Sequence, residues 1–182
     1  MEERIVAADP AADPQGYKRE LLALLGGADP GEVLQATPAR FRERTQGLDA
    51  GVLARPPAPG EWSVEELLAH FWSAEIAAAF RWRLVLAQDR PRLVGYDQEA
   101  WARLPRPPFA ALLDAFTALR TANVALIGGT DESLWDREGI HDERGPESFR
   151  LGVQLLAGHD RAHLEQLDRT VATVTGQAGP AR

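Results

Sequence analysis

One uninterrupted helical run does most to constrain this chain. Ser63 and Glu66 stand at the S-x-x-E spacing of a capping box, Trp62 and Leu67 flank it as a hydrophobic staple, and neither glycine nor proline occurs from 64 to 87. The pattern predicts a helix from Ser63 to about Ala87. Its Phe71, Trp72, Ile76, Phe80, Trp82 and Leu86 point in many directions, so it should be covered by neighbours on most sides or lie at a subunit contact. At about 1.5 Å per residue such a helix is near 37 Å long. The Pro-rich connector at 88–108 can stretch to roughly 65 Å, enough to travel back along the whole helix.

Three other helical segments accompany it. Tyr17, Leu21, Leu22 and Leu25 recur at helical spacing before Gly26-Gly27, and residues 33–45 read as a continuation of that element. Residues 109–127 form the third helix, ended by Gly128-Gly129, and a fourth runs from 147 or 148 to Thr175 with Gly176 as its stop. One further helical turn is expected after Asp97, and no strand-like alternation of useful length is present. The expected fold is therefore all-α: a four-helix bundle, up-down-down-up, with a long crossover between helices 2 and 3. Residues 1–15 read as a poorly ordered N-terminal arm, 16–176 as the bundle and 177–182 as a C-terminal tail.

Composition narrows the function. With 20 basic and 27 acidic side chains the formal charge is −7, which argues against affinity won by neutralising phosphates, so no nucleic-acid partner is expected. The chain has no cysteine, so a metal must be held by His, Asp or Glu, and any sulfur chemistry must come from a partner molecule. No apolar run reads as a membrane span and the first residues lack a signal-peptide pattern, so a cytoplasmic location with no membrane partner is expected.

The four histidines are His70, His141, His159 and His163. The last two lie one turn apart on one helix face, on the side of Phe149, Gly152, Leu155, Leu156, Leu167 and Val174, so they face inward. From spacing alone they are either core imidazoles hydrogen-bonded to protein groups or ligands sharing one metal ion. His70, in the second turn of its helix, shares its side with Ala74, Ala77 and Ala78, so its ring looks toward space left by small side chains.

These residues carry a resemblance. The string from Pro59 to His70 (PGEWSVEELLAH), the later Gly139-Ile140-His141 followed by Gly145, and the closing His159-Asp160-Arg161-Ala162-His163-Leu164-Glu165-Gln166-Leu167 resemble the DinB/YfiT-like metalloenzymes over about residues 16–175. The resemblance implies the same bundle, often homodimeric, with a divalent ion held by His70, His159 and His163. Three functions are then open, the two enzymatic ones implied by the resemblance. The first choice is thiol S-transfer, with a small-molecule thiol and an electrophilic substrate as partners. The alternatives are a metal-dependent hydrolase on the same site and a non-catalytic metal-binding stress-response module. Three neutral imidazoles leave an ion its full charge and an open position, which would acidify either a thiol or a water. Zinc or nickel is expected, and iron or manganese also accept such ligands.

Other residues have more than one reading. Asp160 is the candidate catalytic residue by comparison with the glutamate of H-E-x-x-H helices, or else an acceptor that orients a ligand ring or bonds between helices. Glu66 and Gln166 lie one turn from ligands and could orient them. His141 falls in the segment 130–146, read as a loop, and is left out of the metal set. Trp72, Trp82, Trp101 and Trp135 line a substrate pocket or, more simply, pack in the core or at a dimer contact. Arg81, about 16 Å along the helix from His70 and nearly on its side, anchors an anionic substrate tail or pairs with an acid.

Overall fold

The computed structural model describes residues 11–176; the first ten residues of the expected arm and the 177–182 tail lie outside the described residues. Seven helices occur in this span: α1 (Pro14–Leu25), α2 (Pro30–Thr45), α3 (Ala50–Leu53), α4 (Val64–Ala87), α5 (Gln98–Ala102), α6 (Phe109–Gly129) and α7 (Phe149–Thr175). A 3-10 turn covers Glu132–Leu134. The fold is all-α with a four-helix-bundle-like core of α2, α4, α6 and α7, and α1 packs against α7.

Local chemistry accounts for the helix ends. Ser63 accepts from the Glu66 amide while the Glu66 carboxylate accepts from the Ser63 amide, so the capping box at α4 is closed both ways. Asp97 caps α5 and Gly176 ends α7 in the left-handed conformation. The first two helices are not one element, as the sequence suggested. Gly26 takes a φ of 61° that stops α1, and Asp29 then caps a new helix whose first residue is Pro30. α1 itself begins at Pro14, capped by Asp13, two residues inside the stretch read as an arm. It lies so close to α7 that a Cβ at Gly158 would collide with the Leu21 backbone.

A second departure is a small sheet, ordered β1-β2-β3, from β1 (Arg92–Leu93), β2 (Glu138–His141) and β3 (Gly145–Ser148). β1 runs parallel to β2, and β2 and β3 form a hairpin that turns through Gly145 at a φ of 71°. Strands of two to four residues are too short to show alternation in the sequence. A third departure concerns α6, whose 21 residues reach a mean hydropathy of 1.4 in their most apolar window, long and apolar enough by those measures alone to cross a membrane. Yet its Arg120 and Asn123 are buried in hydrogen bonds to α4 and α7.

The buried interior divides into two apolar clusters. One gathers Leu34, Trp82, Val85, Phe149 and Val153; the other gathers Phe41, Leu67, Leu68, Phe71, Phe116 and Leu167. Near the level where the two clusters meet, each of the four core helices carries a polar or backbone-disrupting residue: Pro38 in α2, Glu75 in α4, Arg120 and Asn123 in α6, and Asp160 in α7. That polar layer positions the site.

Candidate metal centre

α4 presents His70 and α7 presents His159 and His163. The Nε2 atom of His70 lies 2.7 Å from that of His159 and 3.2 Å from that of His163. Two nitrogens bound at 2.0–2.1 Å to one ion stand about 3.0–3.4 Å apart, so the three atoms outline one face of a coordination shell, with the His70–His159 edge drawn slightly inward. His70 and His159 are 2% and 8% exposed. The Trp62 ring, 4.7 Å from the His70 ring and 6.2 Å from that of His163, walls one side, and Phe71 stands edge-on to His159 and His163.

The donor chemistry fits a divalent cation. Burial, then the proximity of His163 and His159, holds His70 well below the ordinary imidazole pKa. Burial, then His159, takes His163 down to about 3. Both rings are therefore neutral near pH 7. His163 Nδ1 sits 2.8 Å from Gln166 Oε1, an acceptor, so Nδ1 carries the ring proton and Nε2 keeps its lone pair. Nδ1 of His70 and of His159 are buried without a hydrogen bond, and Asp160 Oδ1 is 3.7 Å from the latter. A ring proton on His70 Nε2 would bridge to one neighbouring nitrogen at a time, whereas a single cation between them satisfies all three.

Behind the triad lies the polar layer. Arg120, 1% exposed, donates from Nε to Glu75 Oε2 at 2.6 Å, and from Nη1 to Asp160 Oδ2 at 2.5 Å and to the Leu34 carbonyl at 2.9 Å. The last bond has a covalent cause. Pro38 has no N–H to offer the carbonyl four residues earlier in α2, and Arg120 supplies the missing donor. Asn123 bonds Glu75 Oε1 at 2.6 Å. Burial alone would lower the Arg120 pKa, but Asp160 and Glu75 outweigh it and raise it; burial would raise that of Asp160, but Arg120 outweighs it and lowers it. Glu75 is pushed up by burial against the pull of Arg120.

Residues 33–167, which include all three histidines, match the model of the DinB superfamily. The chain belongs to the DinB superfamily. Relatives at 24% identity include a Bacillus cereus protein named "putative metal-dependent hydrolase", matched over 71% of this chain and 76% of its own length. An Oceanobacillus iheyensis protein with the same description matches over 75% and 80%. Among solved structures, YfiT from Bacillus subtilis, described as a "probable metal-dependent hydrolase with an unusual four-helix bundle topology", shares the fold with a TM-score of 0.75 at 19% identity, over 82% of this chain and 87% of that one.

In this DinB-superfamily chain the other residues singled out from sequence fall as follows. Glu66 is committed to its cap, whereas Gln166 does orient a ring. Both Asp160 oxygens accept from Arg120. His141 is not in a loop: it ends β2, 1% exposed, its Nδ1 accepting from the Glu143 amide at 3.2 Å and its Nε2 without a partner. Burial, then Arg144 and Arg81, lowers its pKa to about 3. Of Trp72, Trp82, Trp101 and Trp135 only Trp82 borders the cleft that opens beside His159; Trp135 packs on Phe149, Trp101 on Tyr96, and Trp72 against the second apolar cluster. The place of Arg120, Glu75, Trp62, Tyr17, Arg144 and Glu147 at or beside the site is not evident from sequence, where Trp62 and Tyr17 read only as helix-staple and core positions. A lone arginine in the apolar run 109–129, and a glutamate between Ala74 and Ile76, were the available signals for the first two.

Proposed function

We propose that this chain is a divalent-metal-dependent hydrolase whose ion is held by Nε2 of His70, His159 and His163. The observation that carries the reading is the convergence of three imidazoles, with His70 Nε2 at 2.7 and 3.2 Å from the Nε2 atoms of His159 and His163, beside a cleft that reaches His159. Relatives named as metal-dependent hydrolases support the reaction class. A divalent ion in this place supplies Lewis acidity toward water and toward the oxygen of a scissile carbonyl or phosphoryl group. Zinc or nickel suits the donors, as do iron and manganese.

The chain's own residues prepare the site. Gln166 holds the proton of His163 on Nδ1, and Asp160, fixed by Arg120, sets a negative charge behind the His159 ring. Trp62 and Phe71 keep water from the far side of the rings. In this reading Asp160 is a positioning residue and not a general base, because its carboxylate is wholly buried and already bound to a guanidinium.

Thiol transfer, placed first on sequence grounds, becomes the second reading. One feature favours it: among the described residues the only carboxylate lining the cleft, Glu147, is paired with Arg144, and a thiol of pKa about 8.5 needs no protein base to ionise beside a cation.

The proposal extends to an up-down-down-up path. Phe71 meets Phe116 and Glu75 meets Arg120, so partners advance together in α4 and α6; His70 meets His163 and Trp82 meets Phe149, so they run oppositely in α4 and α7. Parallel α4 and α6 require the long connector, and that connector delivers Tyr96 to the cleft.

Elemental analysis of protein purified without an affinity tag, followed by turnover of esters and amides in water against turnover of a thiol plus an electrophile, tests the reading. One bound divalent ion per chain, lost in His70→Ala, with hydrolysis but no thiol dependence, is expected. Thiol-dependent turnover alone makes the second reading correct, and metal unchanged in His70→Ala refutes both.

A further inference from the structure

The cleft beside His159 has two contrasting ends. Its floor is built from small residues, Ala74 and Ala78 of α4 and Gly152 of α7, and a Cβ at Gly152 would come within 2.9 Å of the Trp82 indole nitrogen. Glycine inside a helix costs about 1 kcal/mol relative to alanine, so the room it leaves is a feature that opposes helix propensity. The cleft's volume is about 80 Å³, on the scale of a small molecule's end group.

The outer end is lined by Tyr17, Arg81, Tyr96 and Arg144. Arg81 makes no ion pair among the described residues: its Nε and Nη2 donate to the Val94 carbonyl at 3.2 and 2.6 Å, and its guanidinium lies 5.7 Å from the Tyr96 ring centre. Lys18, 8% exposed, donates to the Arg144 and Pro146 carbonyls at 2.8 and 3.2 Å and holds the hairpin in place. Arg144 is paired with Glu147. Glu143 adds a second acidic charge near Arg81. Three cations therefore face two carboxylates here, in a chain whose formal charge is −7. The Tyr17 and Tyr96 hydroxyls have no hydrogen-bond partner among the described residues. Burial raises the pKa of both phenols, that of Tyr96 to about 12, so both keep their protons as donors.

We infer that this outer end is an oxyanion-recognition subsite: the molecule handled at the triad carries a carboxylate or phosphate tail, held by Arg81 with the Tyr17 and Tyr96 hydroxyls. Arg81 stands about 16 Å along α4 from His70, and helix side chains lean toward the N-terminus, so the tail lies roughly 10 Å from the triad. The substrate class is thus a small acid, a monoester or monoamide of a short diacid or a phosphate-bearing ester, with its cleavable bond one short chain away from the anion. A guanidinium with no ion-paired carboxylate and two phenol donors beside it match the charge and the acceptor oxygens of such a group. The choice of cleavable bond rests on the hydrolase reading above; the anion subsite itself does not.

The test separates the two. Metal-free protein is titrated with glutarate, with inorganic phosphate and with neutral glutaramide, following Trp82 by its indole N–H resonance and by fluorescence. Saturable shifts with glutarate, phosphate or both, and none with glutaramide, are expected, and the stronger of the two anions identifies the tail. Arg81→Gln should weaken binding about tenfold and Tyr96→Phe less, while Arg92→Gln, on an exposed strand, and His163→Ala should leave it unchanged. Absence of saturable binding of either anion overturns the inference. So does binding that survives Arg81→Gln, binding shared by glutaramide, or binding lost in His163→Ala, which would place the anion on the imidazoles. With metal restored, anion binding without hydrolysis refutes the proposed activity and leaves the subsite standing; hydrolysis indifferent to tail charge does the reverse.

Discussion

Replacing Arg120 by methionine probes the polar layer directly. The side chain bonds Glu75 at 2.6 Å, Asp160 at 2.5 Å and the Leu34 carbonyl at 2.9 Å, and all three side chains are at most 2% exposed. Removing one partner of a buried ion pair costs about 3–5 kcal/mol because the remaining charge is left without compensation. Here two carboxylates and a proline-orphaned carbonyl are stranded together, so the upper part of that range, about 4–5 kcal/mol, is expected. At about 2–4 °C per kcal/mol for a chain of this size, the melting temperature should fall by roughly 8–20 °C. The deficit should depend on pH. Without Arg120 the Glu75 carboxyl, already raised by burial, titrates higher in the folded than in the unfolded chain. The folded state then binds more protons through that window, and stability falls as pH rises through it. The gap to the parent protein should thus widen from pH 5 to pH 8. Thermal unfolding by circular dichroism at both pH values measures it, and Glu75→Gln/Arg120→Met should recover part of the loss at pH 8. A melting temperature within about 3 °C of the parent, or a gap constant with pH, would show that the layer is solvated and that the pairing argument is wrong.

Gln166→Ala frees the Nδ1 proton of His163 and should weaken metal binding about 10–100-fold with little change in fold, measured by competition with a chelating dye. The metal-free protein should lose stability as pH drops below about 6.5, because the unfolded imidazoles take up protons there while folded His163, at about 3, does not. His163→Gln should flatten that dependence in pH-dependent unfolding, and an unchanged slope would remove burial as the cause. Gly158→Ala sets a methyl group against the Leu21 backbone and should cost about 1–3 kcal/mol in chemical denaturation, with α1 exchanging its amide protons faster; a neutral effect would mean that α1 moves aside freely.

Elements governed by neighbours in the chain were legible in the linear sequence: the closed cap at Ser63, the turn after Asp97, the stop at Gly176, and two imidazoles one turn apart on an inward face. Each depends on contacts within about four residues, where side-chain type and backbone angle decide the outcome. The division of the first helix at Gly26 is written locally too, in Asp29-Pro30, although the helical spacing of apolar residues runs across it. Tertiary structure alone decided what involves separation. It brought His70 Nε2 to 2.7 Å from that of His159, and it joined Arg120 both to Asp160 and to the carbonyl that Pro38, 82 residues before it, leaves without a helical donor. It buried His141 in a hairpin and gathered Tyr17, Arg81, Tyr96 and Arg144 around one cleft. Burial and pairing are properties of the packed interior, where an unsatisfied charge or dipole has no water to turn to, and no periodicity along the chain records which distant group will satisfy it.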